Sequence, residues 1–110
     1  MAYDESLAAR IEEILVDRSD VIQKKMFGGL AFMVRQHMCV GVMDDMIMAR
    51  VGPQHYAECL QQDYAKEMTF TGKPLKGMVY VEPKGISCDT QLRSWIRQCL
   101  NFVDSLPDKK

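Results

Sequence analysis

The chain has no long apolar run. Its uncharged apolar-rich stretches, six residues at Met38–Met43 and nine at Met26–Val34, fall well short of the roughly 20 that a membrane span needs. It has no basic n-region followed by an apolar h-region, since acidic residues appear from Asp4 onward. That pattern predicts no secretory leader and a cytoplasmic protein. Neither sign of charge dominates: 14 Lys and Arg face 15 Asp and Glu, a net charge of −1. A protein built on phosphate contacts usually carries a basic excess. Aromatic residues are few, with four Phe, four Tyr and one Trp, so base-stacking platforms are scarce. None of the four cysteines, Cys39, Cys59, Cys88 and Cys99, forms a Cys-x-x-Cys pair. In a reducing compartment they read as thiols used as small hydrophobes.

What is present describes one globular domain, residues 1–110. Hydrophobic residues make up 47% and charged residues 26%, which fits a folded chain and excludes general disorder. A chain of this length buries about two-thirds of its unfolded surface, so it needs no metal or disulfide to hold a core.

Leu7, Ile11, Ile14 and Leu15 recur at helical spacing and predict a first helix over about 4–17. A β region follows over 23–51. In it the pair Gly28-Gly29 reads as a bulge within one strand, Arg35-Gln36 as a two-residue turn, Met38–Met43 as a central strand, and Asp44-Asp45 as the next turn. Gly52-Pro53 predicts a second helix, with Pro at its first position, running to about Gln62. Two strands follow, near 67–71 and 77–82, joined by a loop over 72–77 that carries Gly72, Lys73, Pro74, Lys76 and Gly77. A last helix spans about 88–106, with Leu92, Trp95, Ile96, Cys99, Val103 and Leu106 as its stripe and Ser87 or Asp89 as its cap. The order α-β-β-β-α-β-β-α, with successive hairpins, predicts an α+β two-layer sandwich: a mainly antiparallel five-stranded sheet with helices on one face.

Several segments together resemble the TfoX N-terminal domain family: Lys25-Met-Phe-Gly-Gly-Leu-Ala-Phe-Met33, Met38-Cys39, Arg50-Val-Gly-Pro53, Phe70-Thr-Gly-Lys-Pro-Leu-Lys-Gly-Met-Val-Tyr-Val81, and the Trp95 helix closing on Phe102-Val-Asp-Ser-Leu-Pro107. The resemblance covers essentially the whole chain, from Tyr3 to Pro107. It implies a fold like that of secretion chaperones, an antiparallel five-stranded sheet with helices against it. The family is named for regulators of natural competence, which promote transcription of DNA-uptake genes. Those regulators carry a second, C-terminal helical domain with no counterpart in these 110 residues, so the resemblance implies a stand-alone single-domain member. It brings no catalytic residues and no cofactor.

The chemistry-bearing residues fall into four sets. His37 and Cys39 share a strand face, and His55 and Cys59 share a helix face. Together they have the ligand types of tetrahedral zinc, but their spacing follows no zinc-finger pattern, and accidental placement is the preferred reading. Cys39 with His37 is the only close thiol–imidazole pair; on one strand face the two side chains diverge, and no enzyme is expected. Lys24, Lys25, Arg50, Lys73 and Lys76, with Gly28-Gly29 and the 72–77 loop, are candidates for holding an anion, small ligand or nucleic acid if they converge. The loop matches neither phosphate-binding glycine motif.

The fourth set is methionine. Nine are present, and Met33, Met38, Met43, Met46, Met48 and Met78 fall in predicted strands. Methionine suits adaptable binding surfaces. If helices cover one sheet face, a Met-rich opposite face leaves apolar area open, and such patches usually mark an interface. The sequence thus predicts a non-enzymatic regulatory or interaction module that docks a protein partner or a second copy. Direct DNA binding by this chain alone is not expected. A ligand, metal or nucleic-acid binder is the alternative.

Overall fold

The computed structural model describes residues 3–26, 28–70 and 73–106, with the backbone alone at 26, 68–70 and 73–76. Among the described residues there are six strands and three α-helices, in the order α1 (Glu5–Ile14), β1 (Val21–Met26), β2 (Gly29–Val34), β3 (His37–Met43), β4 (Met46–Arg50), α2 (Tyr56–Leu60), β5 (Ala65–Phe70), β6 (Lys73–Val81) and α3 (Asp89–Asp104). The strands form one sheet, ordered β1-β2-β3-β4-β6-β5, with every neighbouring pair antiparallel. The α+β sandwich holds.

The expected five strands are six, because Gly28-Gly29 is a chain reversal rather than a bulge. Gly28 has φ of +78°, a conformation glycine adopts without a Cβ penalty. The chain therefore folds back there, setting Met26 opposite Gly29. Gly29 is glycine for a different reason: a Cβ there would collide with the Val42 carbonyl. The order becomes α-β-β-β-β-α-β-β-α.

The 72–77 loop is also corrected. Gly72 lies outside the described residues, but Lys73, Pro74 and Lys76 fall inside β6. Pro74 is tolerated because β6 pairs with β4 only over Met78–Val81, while Thr69 of β5 faces Pro74 on the other side. The missing N–H therefore removes no bond to β4. Gly77, with φ of +95°, stands where this single-sided part ends. Its carbonyl accepts from the N–H groups of Val51 and Gly52.

Gly52-Pro53 does not open the second helix. Residues 53–55 form a turn and α2 starts at Tyr56. The two long helices sit close to expectation. Asp4 caps α1, accepting from the N–H of Ser6 at 2.9 Å and of Leu7 at 3.1 Å. The cap of α3 is Cys88, in a capping box with Gln91, rather than Ser87 or Asp89.

One core fills the space between helices and sheet. Leu7 and Ile11 of α1, Cys59 of α2, and Leu92, Trp95, Ile96, Cys99 and Val103 of α3 pack against Leu30, Phe32, Val34, Val40, Val42, Ile47, Ala49, Val79 and Val81. Every helix thus lies on the same side of the sheet. Arg18 ties one end of this layer together, with Asp20 at 2.8 Å and Asp104 at 3.0 Å. Arg35, in the β2–β3 turn, donates to the carbonyls of Asp104 and Leu106 at the end of α3. Arg35 and Gln36 have φ of 53° and 69°. The anchoring of Arg35 offsets the cost of that conformation for residues with a Cβ.

Candidate functional site

Strand side chains alternate between faces, so the residues between the core positions point away from the helices. On β2 these are Gly29, Ala31 and Met33. On β4 they are Met46 and Met48, and on β6 Met78 and Tyr80; Arg50, at the end of β4, turns back to the Phe102 ring of α3. On β3 the alternation is reset. Phe32 pairs with Val40 but Met33 pairs with Met38, which leaves Cys39 as an extra residue. Cys39 and Val40 both enter the core. Met38 and Met43, five residues apart, consequently share the open face. Without the bulge they would point in opposite directions.

Register aligns these residues in rows across the sheet. One row reads Lys24, Ala31, Gly41, Met48, Tyr80 and Lys66. Beside it lie Ile22, Met33 and Met38, with Arg50 opposite Met78. On the other side Met43 faces Met46. The methionines shelter the small residues between them. A Cβ on Gly41 would meet the methyl groups of Met48 and Met38, and Ala31 and Met48 have 0% exposure. Met33, Met38, Met43, Met46, Met78 and Tyr80 remain half-exposed, and Ile22 is 57% exposed. The Tyr80 hydroxyl donates to the Met43 sulfur at 3.4 Å. The outcome is a broad apolar surface, with no helix over it among the described residues, floored by small side chains and surfaced by thioethers.

The basic candidates are not brought together. Lys24 and Lys25 lie on edge strand β1, whereas Lys73 and Lys76 lie on β6, four strands away, about 19 Å at the usual strand spacing. Arg50 is half-buried and engaged. It donates to the Met38 carbonyl at 3.3 Å and lies over the Phe102 ring at 5.4 Å.

The His/Cys candidates divide in the same way. His37, Cys39 and Cys59 are buried, whereas His55 is exposed at the start of α2, 4.0 Å from Glu58. Among the described residues no group of three or more His, Cys, Asp or Glu could hold a metal ion. Cys59 accepts from Gln98 at 3.1 Å, and burial raises its thiol pKa. The Cys99 thiol is raised further, first by contact with the Cys39 thiol and then by complete burial. Such thiols are poor nucleophiles at neutral pH. The Cys39–Cys99 contact joins β3 to α3 across 60 residues, and no spacing rule in the sequence points to it.

A cavity of about 650 Å³ lies between the 51–58 segment and the outer side of α3, where His55, Glu58, Arg97, Gln98 and Asn101 contribute to its wall. It is open, its wall mixes these polar groups with Val51, Pro53 and Phe102, and of the candidates named from the sequence it contains only His55.

The TfoX N-terminal domain family matches residues 13–103, from the end of α1 to the last turn of α3. The chain belongs to this family. No curated protein and no solved structure matches it. The match takes in all six strands, and therefore the whole methionine face of this TfoX N-terminal domain, together with the Cys39 bulge that aligns it.

Proposed function

We propose that this TfoX N-terminal domain is a non-enzymatic regulatory module that works in the cytoplasm by docking a protein, another chain or a copy of itself, on the methionine face of its sheet. The observation that carries the reading is that face. Six methionines, Ala31, Gly41 and Tyr80 form one contiguous apolar surface that no helix covers among the described residues. An apolar surface of this extent is costly to leave in water and usually marks an interface. Methionine adapts its shape to a partner better than branched residues do. Membership of a family named for competence regulators supports a regulatory role. Any effect on transcription then runs through the docked protein, since the basic residues do not converge on a nucleic-acid site.

Site-specific photo-cross-linking in the native host tests this. A photoreactive residue at Met33 or Met78 is expected to trap a discrete protein adduct, and one at Glu12 on the far side of α1 is not. Equal labelling from both sides, or none from the sheet, refutes the reading.

A further inference from the structure

The cavity beside α3 has an apolar lining and two unlike polar walls. Val51, Pro53 and Phe102 supply the apolar lining. The Phe102 ring is held in place from two directions. The Arg50 guanidinium lies over it at 5.4 Å, and Gly52, where a Cβ would strike the ring, lets the 51–58 segment close on it. The α3 wall carries Ser94, Arg97, Asn101 and Ser105, spaced three or four residues apart and so on one side of the helix. From Thr90 to Val103 this helix has no acidic residue. Arg97 and Asn101 have no side-chain hydrogen bond or ion pair among the described residues. The opposite wall carries His55 and Glu58. Glu58 lies 4.0 Å from His55 and both side chains are more than half exposed. That separation is beyond hydrogen-bond reach, so the carboxylate keeps its acceptor capacity.

Arg97 and Glu58 are therefore opposite charges that line one cavity without pairing with each other. We infer that the cavity binds a small zwitterion of the amino-acid type. Arg97 and Asn101 receive its carboxylate, Glu58 receives its ammonium, and its apolar side chain lies on Phe102. This site is on the helix side of the sheet and goes beyond the docking reading, which does not depend on it. The volume of about 650 Å³ lies within the roughly 300–1,000 Å³ of small-ligand pockets. It admits a free amino acid or a short peptide, which share this chemistry.

Other ligand classes leave part of the cavity unanswered. A dianion such as phosphate faces the Glu58 carboxylate, and a simple amine faces the Arg97 guanidinium, so each meets a like charge. A neutral apolar molecule covers Phe102 and leaves both charges without a counterpart.

The test titrates the full chain with L-phenylalanine, the dipeptide Ala-Phe, phenylacetate and phenethylamine, followed by amide chemical shifts in NMR. The two zwitterions should shift the amides of residues 52–58 and 97–105 saturably. The expected Kd is about 1 mM for the tighter one, since the cleft is open and both ion pairs are exposed. Tighter binding of the amino acid or of the dipeptide supports the proposal either way and identifies the source. Phenylacetate and phenethylamine each lack one charge and should bind about fivefold more weakly. Arg97→Gln should weaken the zwitterions about fivefold without weakening phenethylamine, and Glu58→Gln should do the same without weakening phenylacetate. Arg97 and Glu58 are exposed, so both variants should keep the Tm of the parent. Binding of phenylacetate, phenethylamine or inorganic phosphate as tight as that of the zwitterions overturns the proposal. So does an equal loss for all the probes in either variant. Shifts confined to other residues, or no saturation by about 20 mM, twentyfold above the expected Kd, overturn the site itself. The cross-linking experiment judges docking separately, on the other side of the sheet.

Discussion

Phe32 and Met33 are neighbours in the chain, yet the structure gives them opposite fates, and truncating each to alanine tests the two-faced sheet directly. Phe32 has 0% exposure and packs in the core beneath the helices. Phe32→Ala loses the transfer energy of a buried aromatic, about 1.5–3 kcal/mol, and leaves a cavity that raises the total to about 3–5 kcal/mol. Native domains are stable by only about 5–15 kcal/mol. At roughly 4 °C per kcal/mol, Tm should fall by about 15 °C. Met33 is half-exposed on the open face with no helix above it, so Met33→Ala should cost less than about 1 kcal/mol. Met48 lies between the two cases. It shares the open face but is fully covered, because its methyl sits over Gly41, and about 2 kcal/mol is expected for Met48→Ala. Urea titration followed by the fluorescence of the single tryptophan, Trp95, measures all three on one scale. A cost for Met33→Ala equal to that of Phe32→Ala would show that the methionine face is itself sealed in a core, and the argument for a docking surface would fail.

Gly52→Ala should destabilise by about 3 kcal/mol, since Gly52 has φ of +89° and a Cβ would strike the Phe102 ring; Phe102→Leu in the same chain should recover part of the loss, and strict additivity would refute the clash. Thiol titration at pH 7.5 should count one reactive cysteine, Cys88, in the native protein and four in denaturant, because Cys39, Cys59 and Cys99 are buried; rapid native labelling of Cys99 would contradict its packing against Cys39. Acid unfolding should shift on Asp20→Asn. The hydrogen bond from Arg18 lowers the Asp20 pKa below its ordinary value, so this pair contributes stability above the unfolded carboxylate pKa and loses it as pH falls through the lower folded value. The variant should therefore be less stable than the parent near pH 7 and converge with it in strong acid; a gap that widens on acidification would reverse the sign.

Local rules read the two long helices well. Of the expected stripe, Leu92, Trp95, Ile96, Cys99 and Val103 are buried, because a 3.6-residue period has no rival explanation over four turns, whereas Leu106 lies past the end of α3 and is half-buried. The two-layer arrangement followed from that stripe and the successive turns. The sheet was harder, for reasons that lie outside any short window. Whether Gly28-Gly29 kinks a strand or reverses it depends on which backbone Gly29 approaches, and that backbone is Val42, thirteen residues on. Proline and glycine at 72–77 argue for a loop unless one knows that β4 ends at Arg50 and leaves that flank of β6 unpaired. Of the site, the apolar character of the methionine strands was legible, whereas the phase of Met38 was not. Regular alternation from Met43 sends Met38 to the wrong face.

The Cys39 bulge connects the two halves of the argument. One extra residue in β3 places a thiol in the core against Cys99 and also turns Met38 to the open side. The two effects are inseparable, because the same backbone step that buries one side chain re-aims the next. A regular β3 would pack Met38 among the helices and set Cys39 on the outer surface, leaving a hole in the row Ile22, Met33 and Met38. The bulge interrupts the ladder locally, and the core gains only one small side chain from it. What it completes is the continuity of the methionine face. Beyond helping to shelter Gly41, the restored apolar side chain serves a side that the helices leave bare. That balance is the physical reason for proposing the open face, rather than the cavity beside α3, as the docking surface of this domain.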